Sequence, residues 1–278
     1  MISQDQTIAF IGAGNMATAL IKGLITKGYP CAKIWASDPN NEQLNSLKND
    51  SCINVSMDNV AVIKHADIVV LAVKPQIMND VLLPLRNVLS KKAVLLISIA
   101  AGIPIKTLED LSSTEQSIVR CMPNTPALVE AGASALFANT NTSEAQMQQS
   151  QSILSAVGTV CWLQQESDID TVTALSGSGP AYFFLFIEAL QKAAVAQGLN
   201  PDIANSLALQ TAFGAAKLAL SGDGDVAKLR RQVTSPGGTT EAALAQFEKD
   251  GFSNIIARAV AKAKARSEEL ALLFDNQK

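Results

Sequence analysis

Three glycine-bearing stretches of this chain could carry polar chemistry, and each opens onto a helix-like pattern. Gly12-Ala13-Gly14-Asn15-Met16-Ala17 follows the apolar, β-branched run 7–11 and precedes Ala19, Leu20, Gly23 and Leu24 at helical spacing. That order reads as strand, tight turn, helix, the opening unit of a dinucleotide-binding fold. Gly12 allows the sharp turn, Gly14 lets the backbone approach a pyrophosphate, and Ala17 still permits close packing of helix on strand. The unpaired N–H groups and the dipole of the helix start would face the phosphates. Ser235-Pro236-Gly237-Gly238-Thr239-Thr240 also stands immediately before a helical pattern. Its glycines expose backbone N–H groups, and Thr239 or Thr240 can act as the N-cap, which makes a small anion site suited to a carboxylate. Leu175-Ser176-Gly177-Ser178-Gly179-Pro180-Ala181 sets two hydroxyls among glycines before another helix.

Other residues narrow the chemistry. His65 is the only histidine. A histidine triad, metal site or proton shuttle would have to be built around that one residue, and its place before Ala66-Asp67 reads as a helix end. Cys31, Cys52, Cys121 and Cys161 are scattered without a CxxC, as free thiols in a reducing compartment would be. No metal site is expected. Asp38 follows Gly14 by about the separation of an acidic residue that accepts from a ribose hydroxyl. Lys74 ends an apolar run, where its charge would favour a reduced cofactor or a substrate carboxylate, or simply reach solvent.

The elements that would position these residues alternate. Strands are predicted at 7–11, 33–37, 52–55, 67–73, 93–99, 117–121, 133–138 and 158–163. Helices are predicted at 41–49, 58–64, 76–89 with a break near Pro84, 105–111 and 144–156. Runs as apolar as 67–73 suit strands buried on both faces. The pattern predicts an α/β fold whose first half is a Rossmann-type, doubly wound, mostly parallel sheet. Ligands of such sheets sit beyond the carboxyl ends of the strands, where Gly12, Asp38 and residues 72–75, 100–102 and 123–126 fall. After Leu163 only helices follow, at 181–197, 202–220, 225–231, 239–249 and 253–274. The expected division is a dinucleotide-binding domain over 1–164 and an all-α domain over 165–278. The first long helix is apolar nearly all round, so it must be covered on several faces. A second subunit is the expected cover; a bundle that covers itself is the alternative.

Composition sets bounds. Of 278 residues 48% are hydrophobic, and 22 basic residues face 25 acidic ones with no basic block. Nucleic acid and acidic membrane surfaces are therefore not expected partners. The apolar runs are too short to span a bilayer. The opening MISQDQTIAF lacks a basic region and a cleavable apolar segment, and the cytoplasm is the expected compartment.

The stretches FIGAGNM (10–16), LAVKPQ (71–76), RCMPNTPA (120–127), LSGSGPAY (175–182) and VTSPGGTTEAAL (233–244) occur in this order and spacing. By them the chain resembles the pyrroline-5-carboxylate reductase family over nearly its whole length. The resemblance implies reduction of L-1-pyrroline-5-carboxylate to L-proline by NADPH or NADH, the last step of proline synthesis. It also implies helical halves that interlock in a homodimer, an active site shared across it, and assembly as far as a decamer. By matching positions, Gly12, Ala13, Gly14, Asn15, Met16, Asn59, Ala72, Val73, Lys74, Pro75, Ala100, Ala101 and Gly102 should touch the cofactor. Ser178, Gly179, Ser235, Gly237, Gly238, Thr239 and Thr240 should line the substrate site, and Glu166 matches a position near it.

A cyclic imine can bring its own proton as an iminium, so the step needs positioning and a seat for the carboxylate more than a strong protein acid. The N–H groups after Pro236 are expected to hold the carboxylate. Thr240 is expected to bond the ring nitrogen; with Lys74 it is the catalytic candidate. Asp38 departs from the family, which commonly has a small hydroxyl residue there. Its carboxylate accepts from a ribose 2′-OH and repels a 2′-phosphate, which predicts usable NADH. A β-hydroxyacid dehydrogenase shares the two-domain plan but needs a lysine on the first long helix, where only Lys192 stands, too far along to reach Ser178. A non-catalytic dinucleotide sensor would have no use for SPGGTT.

Overall fold

The structure is a computed structural model that describes residues 2–222 and 224–275. Eight strands make one sheet: β1 (Ile8–Ile11), β2 (Ile34–Ser37), β3 (Asn54–Ser56), β4 (Ile68–Leu71), β5 (Leu95–Ser98), β6 (Ser117–Met122), β7 (Gly132–Ala138) and β8 (Gly158–Trp162). Their order across the sheet is β3-β2-β1-β4-β5-β6-β7-β8. The pairs from β3 to β6 are parallel, as is β7 with β8. Only β6 and β7 run antiparallel, because residues 123–131 are too few for a parallel crossover.

Helices alternate with these strands: α1 (Asn15–Thr26), α2 (Asn41–Ser51), α3 (Asn59–His65), the short α4 (Met78–Leu82) and α5 (Arg86–Leu89), α6 (Ile105–Leu111) and α7 (Glu144–Leu154). Pro84 sits in a 3-10 turn between α4 and α5, where its missing N–H breaks the expected single helix. Alternate residues of one strand feed opposite cores. Ile8, Phe10, Val70 and Ile97 pack with α1 and α2, whereas Ala9, Ile11, Val69 and Leu96 pack with residues of α3 to α6. Burial on both faces is why these strands read as unbroken apolar runs. His65 is the last residue of α3 and stacks on Trp35, ring centroids 4.5 Å apart.

Beyond the sheet come α8 (Asp168–Val172), α9 (Gly179–Ala196), α10 (Pro201–Ser221), α11 (Val226–Gln232), α12 (Thr239–Lys249) and α13 (Phe252–Asp275). Two compact units result. One runs to Ser178 and takes back the chain from Ala263 on; the other is Gly179–Lys262. The sheet unit thus extends past the expected boundary at 164. Ile169 and Ala174 are fully buried, and Ser267 Oγ donates to Asp170 Oδ1 at 2.6 Å. Residues 175–181, which read as a loop, contain the end of a π-helical turn over Thr173–Gly177 that runs into α9. Thr173 and Ser176 return their hydroxyls to the carbonyls of Ile169 and Val172, four residues back, a bond that loosens regular helix.

The helical unit has very little core of its own. Among its described residues only Gly179 and Ala204 are buried. Phe183, Phe184, Leu185, Leu207 and Phe213 are each at least half exposed. A triangle of Phe186, Phe247 and Phe252, centroids 5.3–6.4 Å apart, joins α9, α12 and the start of α13. A bundle that covers itself is therefore not what these helices form.

Candidate active site

In the sheet unit a cleft of about 530 Å³ opens between the carboxyl ends of β1 and β4. That is the switch point of the strand order, where doubly wound sheets bind ligands. Of the expected cofactor residues Gly12, Gly14, Asp38, Asn59, Ala72, Val73 and Lys74 line it. Asn15 and Met16 begin α1, and Pro75 begins a 3-10 turn capped by Lys74. Ala100, Ala101 and Gly102 follow the end of β5 and are not among the lining residues.

Gly12 turns with φ +98°, and a Cβ there would lie 2.6 Å from the Ala72 carbonyl oxygen. This is how β1 and β4 close up beneath the turn. Gly14 is the N-cap of α1 and provides no side-chain cap. The first N–H groups of α1 are left open, since a helix cannot satisfy them itself. Other helices are finished with side chains: Asn40 caps α2, Ser143 caps α7 and Asn200 caps α10.

Asp38 is held at the corner of the cleft. Its Oδ2 accepts from the Ala13 N–H and its Oδ1 from the Asn40 N–H, both at 2.9 Å. The Ala13 N–H is thus engaged by Asp38. Gln43, which the sequence reading did not single out, lines the cleft and donates to the Ala13 carbonyl. Ser37 Oγ donates to Asn59 Oδ1 at 2.6 Å and so fixes that amide at the start of α3. Lys74 is exposed; its carbonyl accepts from the Ile77 N–H at 3.2 Å, while its side chain has no hydrogen bond or ion pair among the described residues.

Glu166 is tied down. Its Oε1 accepts from Arg120 Nη1 on β6 and from the Ile105 N–H that starts α6, each at 2.8 Å. Arg120 is 4% exposed, and a buried charge of this kind requires its partner. Arg120 was missed; an arginine inside the apolar run SIVRC was the available signal. Asn124, also missed, donates to the Ser176 carbonyl at 3.0 Å. Ser178 closes the π-turn, its N–H on the Thr173 carbonyl at 2.8 Å.

In the helical unit the SPGGTT loop differs from expectation in two respects. The N-cap of α12 is Gly238, without a side-chain cap, so neither Thr239 nor Thr240 caps the helix. The N–H groups of Gly237 and Gly238 are also not free for a carboxylate. Gly237 donates to Glu241 Oε2 at 2.7 Å, and Gly238 to the Ser235 carbonyl at 3.0 Å. Glu241, three residues into the helix, reaches back over its start as such residues do. The open donors are the N–H groups of Thr239, Thr240 and Glu241 in the first turn.

A dinucleotide crevice in a doubly wound sheet, followed by an apolar helical unit, defines an oxidoreductase of the NAD(P)-binding class with a C-terminal oligomerisation domain. Residues 166–270 match the family model "Pyrroline-5-carboxylate reductase dimerisation", and residues 7–102 match "NADP oxidoreductase coenzyme F420-dependent". The pyrroline-5-carboxylate reductase of Pseudomonas aeruginosa is 51% identical over 264 residues, 95% of this chain and 96% of the relative. The solved reductase from Coxiella burnetii superposes with a TM-score of 0.92 at 41% identity, covering 96% of this chain and 98% of that one. The Plasmodium falciparum enzyme, solved with NADP bound, gives 0.85 at 33% identity over 97% and 100%. The chain belongs to the pyrroline-5-carboxylate reductase family. The match to the dimerisation model starts at 166, and its first residues, to Ser178, belong to the sheet unit.

Proposed function

We infer that this protein reduces L-1-pyrroline-5-carboxylate to L-proline with NADPH or NADH. Two open helix starts carry the reading: α1 beside the crevice and α12 behind SPGGTT, each with a glycine N-cap and no side-chain cap. NAD(P)H supplies the hydride. The open N–H groups of α1 receive the pyrophosphate, with Gly12, Gly14, Asn15 and Met16 around it and Ala13 holding the turn through Asp38. Asn59, Ala72, Val73, Lys74 and Pro75 wall the crevice, and Ala100, Ala101 and Gly102 extend it past β5. The N–H groups of Thr239 and Thr240 seat the substrate carboxylate; Gly237 and Gly238 shape the loop beneath them. Thr240 Oγ bonds the ring nitrogen and sets which face of the imine is presented, while Ser178, Gly179 and Ser235 border the ring. Glu166 keeps Oε2 for the site while Oε1 anchors it. Lys74, exposed at the crevice, sets its charge against the substrate carboxylate. The imine carbon accepts the hydride and the protonated nitrogen becomes the amine, so no strong protein acid is required. Loss of NADPH absorbance on adding the imine tests this; no turnover would exclude it in favour of a sensor or another dehydrogenase.

Asp38 governs the cofactor preference in this reading. Its two oxygens are engaged by Ala13 and Asn40, yet a carboxylate has about four acceptor positions, so it can still take a ribose hydroxyl. NADH is expected to be usable, with kcat/KM for NADPH exceeding that for NADH by less than about a hundredfold, because a carboxylate favours the 2′-OH over a 2′-phosphate. A larger ratio would remove Asp38 from this role and point to Asn40 and Asn41 as phosphate contacts.

The helical unit pairs with a second copy, and the paired subunits assemble further, up to a decamer. Light scattering at micromolar concentration should show a dimer or larger, with a melting temperature that rises with concentration. A fully active monomer would refute the pairing. Among the described residues no helix is long and apolar enough to cross a membrane. The free thiols suit the cytoplasm.

A further inference from the structure

We propose that Asn124 is a positioning residue for the substrate turn: one side-chain amide stands in for a strand carbonyl and for the N–H that Pro180 lacks, and thereby sets where Ser178 stands. The proposal rests on reading Ser178 as part of the substrate site.

The first missing group lies in the sheet. β6 and β7 pair antiparallel as far as Met122 opposite Ala135. Two residues on, the carbonyl of Asn124 itself turns away to accept from the Ala127 N–H at 3.2 Å. At the next step out, the Ala133 N–H donates to Asn124 Oδ1 at 2.8 Å, a side-chain oxygen in place of a backbone carbonyl. The second missing group lies in the turn. In a helix the Ser176 carbonyl would accept from the N–H four residues on. That residue is Pro180, which has none. Asn124 Nδ2 supplies the donor instead, at 3.0 Å. The two partners, one donor and one acceptor, also fix which way the amide faces.

The turn is pressed onto the end of β6 from a second side. A Cβ on Gly177 would lie 2.5 Å from Met122 Cε. The Ser178 N–H then closes the π-turn on Thr173. Residues 122–124 therefore locate a hydroxyl that stands far from them in sequence. The crevice at β1 and β4 has no part in these contacts.

Only a side chain with a donor and an acceptor on one plane serves both partners. Asn124→Asp sets a carboxylate oxygen against the Ser176 carbonyl, and Asn124→Ala leaves both partners open. In each, KM for pyrroline-5-carboxylate should rise about tenfold, the effect of one displaced polar contact, while KM for NADPH stays within about twofold. Amide exchange of the peptide over 173–178 should quicken in Asn124→Ala. Pro180→Ala returns an N–H four residues after Ser176. The double variant Asn124→Ala/Pro180→Ala should therefore recover much of the KM loss, which a general loss of stability would not allow. Unchanged exchange in Asn124→Ala would overturn the tether. Quicker exchange with an unchanged KM for the imine, or no recovery in the double variant, would overturn the positioning role. Turnover by the unmodified protein tests the parent reading separately, and the exchange measurement decides the tether whatever that result.

Discussion

Thr240→Ala is expected to lower kcat/KM for the cyclic imine about ten- to a hundredfold while the melting temperature stays put. The second half of that expectation comes from the geometry of α12. Its N-cap is Gly238, and no threonine hydroxyl accepts from the helix start, so removing the hydroxyl removes no cap. The first half follows from charge. The protonated ring nitrogen is cationic until the hydride reaches the neighbouring carbon, and a hydrogen bond to a charged group is worth roughly 1.5–3 kcal/mol. Thr240→Ser keeps the oxygen and should retain most activity. Thr240→Val keeps the shape and should behave like alanine. KM for NADPH should hardly move in any of them. Measuring melting temperature and kcat/KM on all three separates the roles: a lower melting temperature with normal kinetics would mean a structural threonine, and normal kinetics for Thr240→Ala would take Thr240 out of the site.

The second large effect separates two glycines two residues apart. Gly14→Ala should fold as the parent does, because its φ of −67° suits any residue and an added Cβ meets nothing within 4 Å. That vacant space is where the backbone must approach the pyrophosphate. KM for NADPH should rise about tenfold or more, since the methyl displaces phosphate from charge-assisted N–H contacts. Gly12→Ala fails for another reason. Its φ of +98° disfavours a side chain, and its Cβ would overlap the Ala72 carbonyl at 2.6 Å. The backbone term alone is about 1–2 kcal/mol. At about 2–4 °C per kcal/mol for a domain of this size, the melting temperature should drop by several degrees before the overlap is counted. Equal melting temperatures for the two variants would refute the distinction. So would unchanged NADPH kinetics in Gly14→Ala.

Much of the sheet unit could be read in advance because its signals are local. Residues 67–73 are apolar throughout since β4 is buried on both faces, and Gly12 and Gly14 punctuate the first turn at fixed spacing. What stayed hidden depends on partners distant in the chain. Nothing around Asn124 announces that Ser176 lies against it, and nothing around Arg120 names Glu166. The π-turn arises where a proline removes a donor and two hydroxyls bond back along the helix; each is ordinary in a loop. In the SPGGTT loop the N–H groups left open differ from those expected, because the reach of Glu241 to Gly237 is a choice of rotamer that residue types do not dictate. The break in the predicted helix near Pro84 was visible because proline acts on its own neighbours.

The sheet unit is discontinuous along the chain. Residues from Ala263 on return to it after the whole helical unit has been made, and Ser267 reaches Asp170 to do so. During synthesis the ribosome therefore delivers the dinucleotide crevice early and the closing segment late. The crevice strands can assemble while α9 to α12 are still emerging, but the surface around Asp170 and Gly102 waits for Ser267 and Leu270 to clear the exit tunnel. A chain stopped at residue 262 would lack a piece of its first unit rather than the tail of its second.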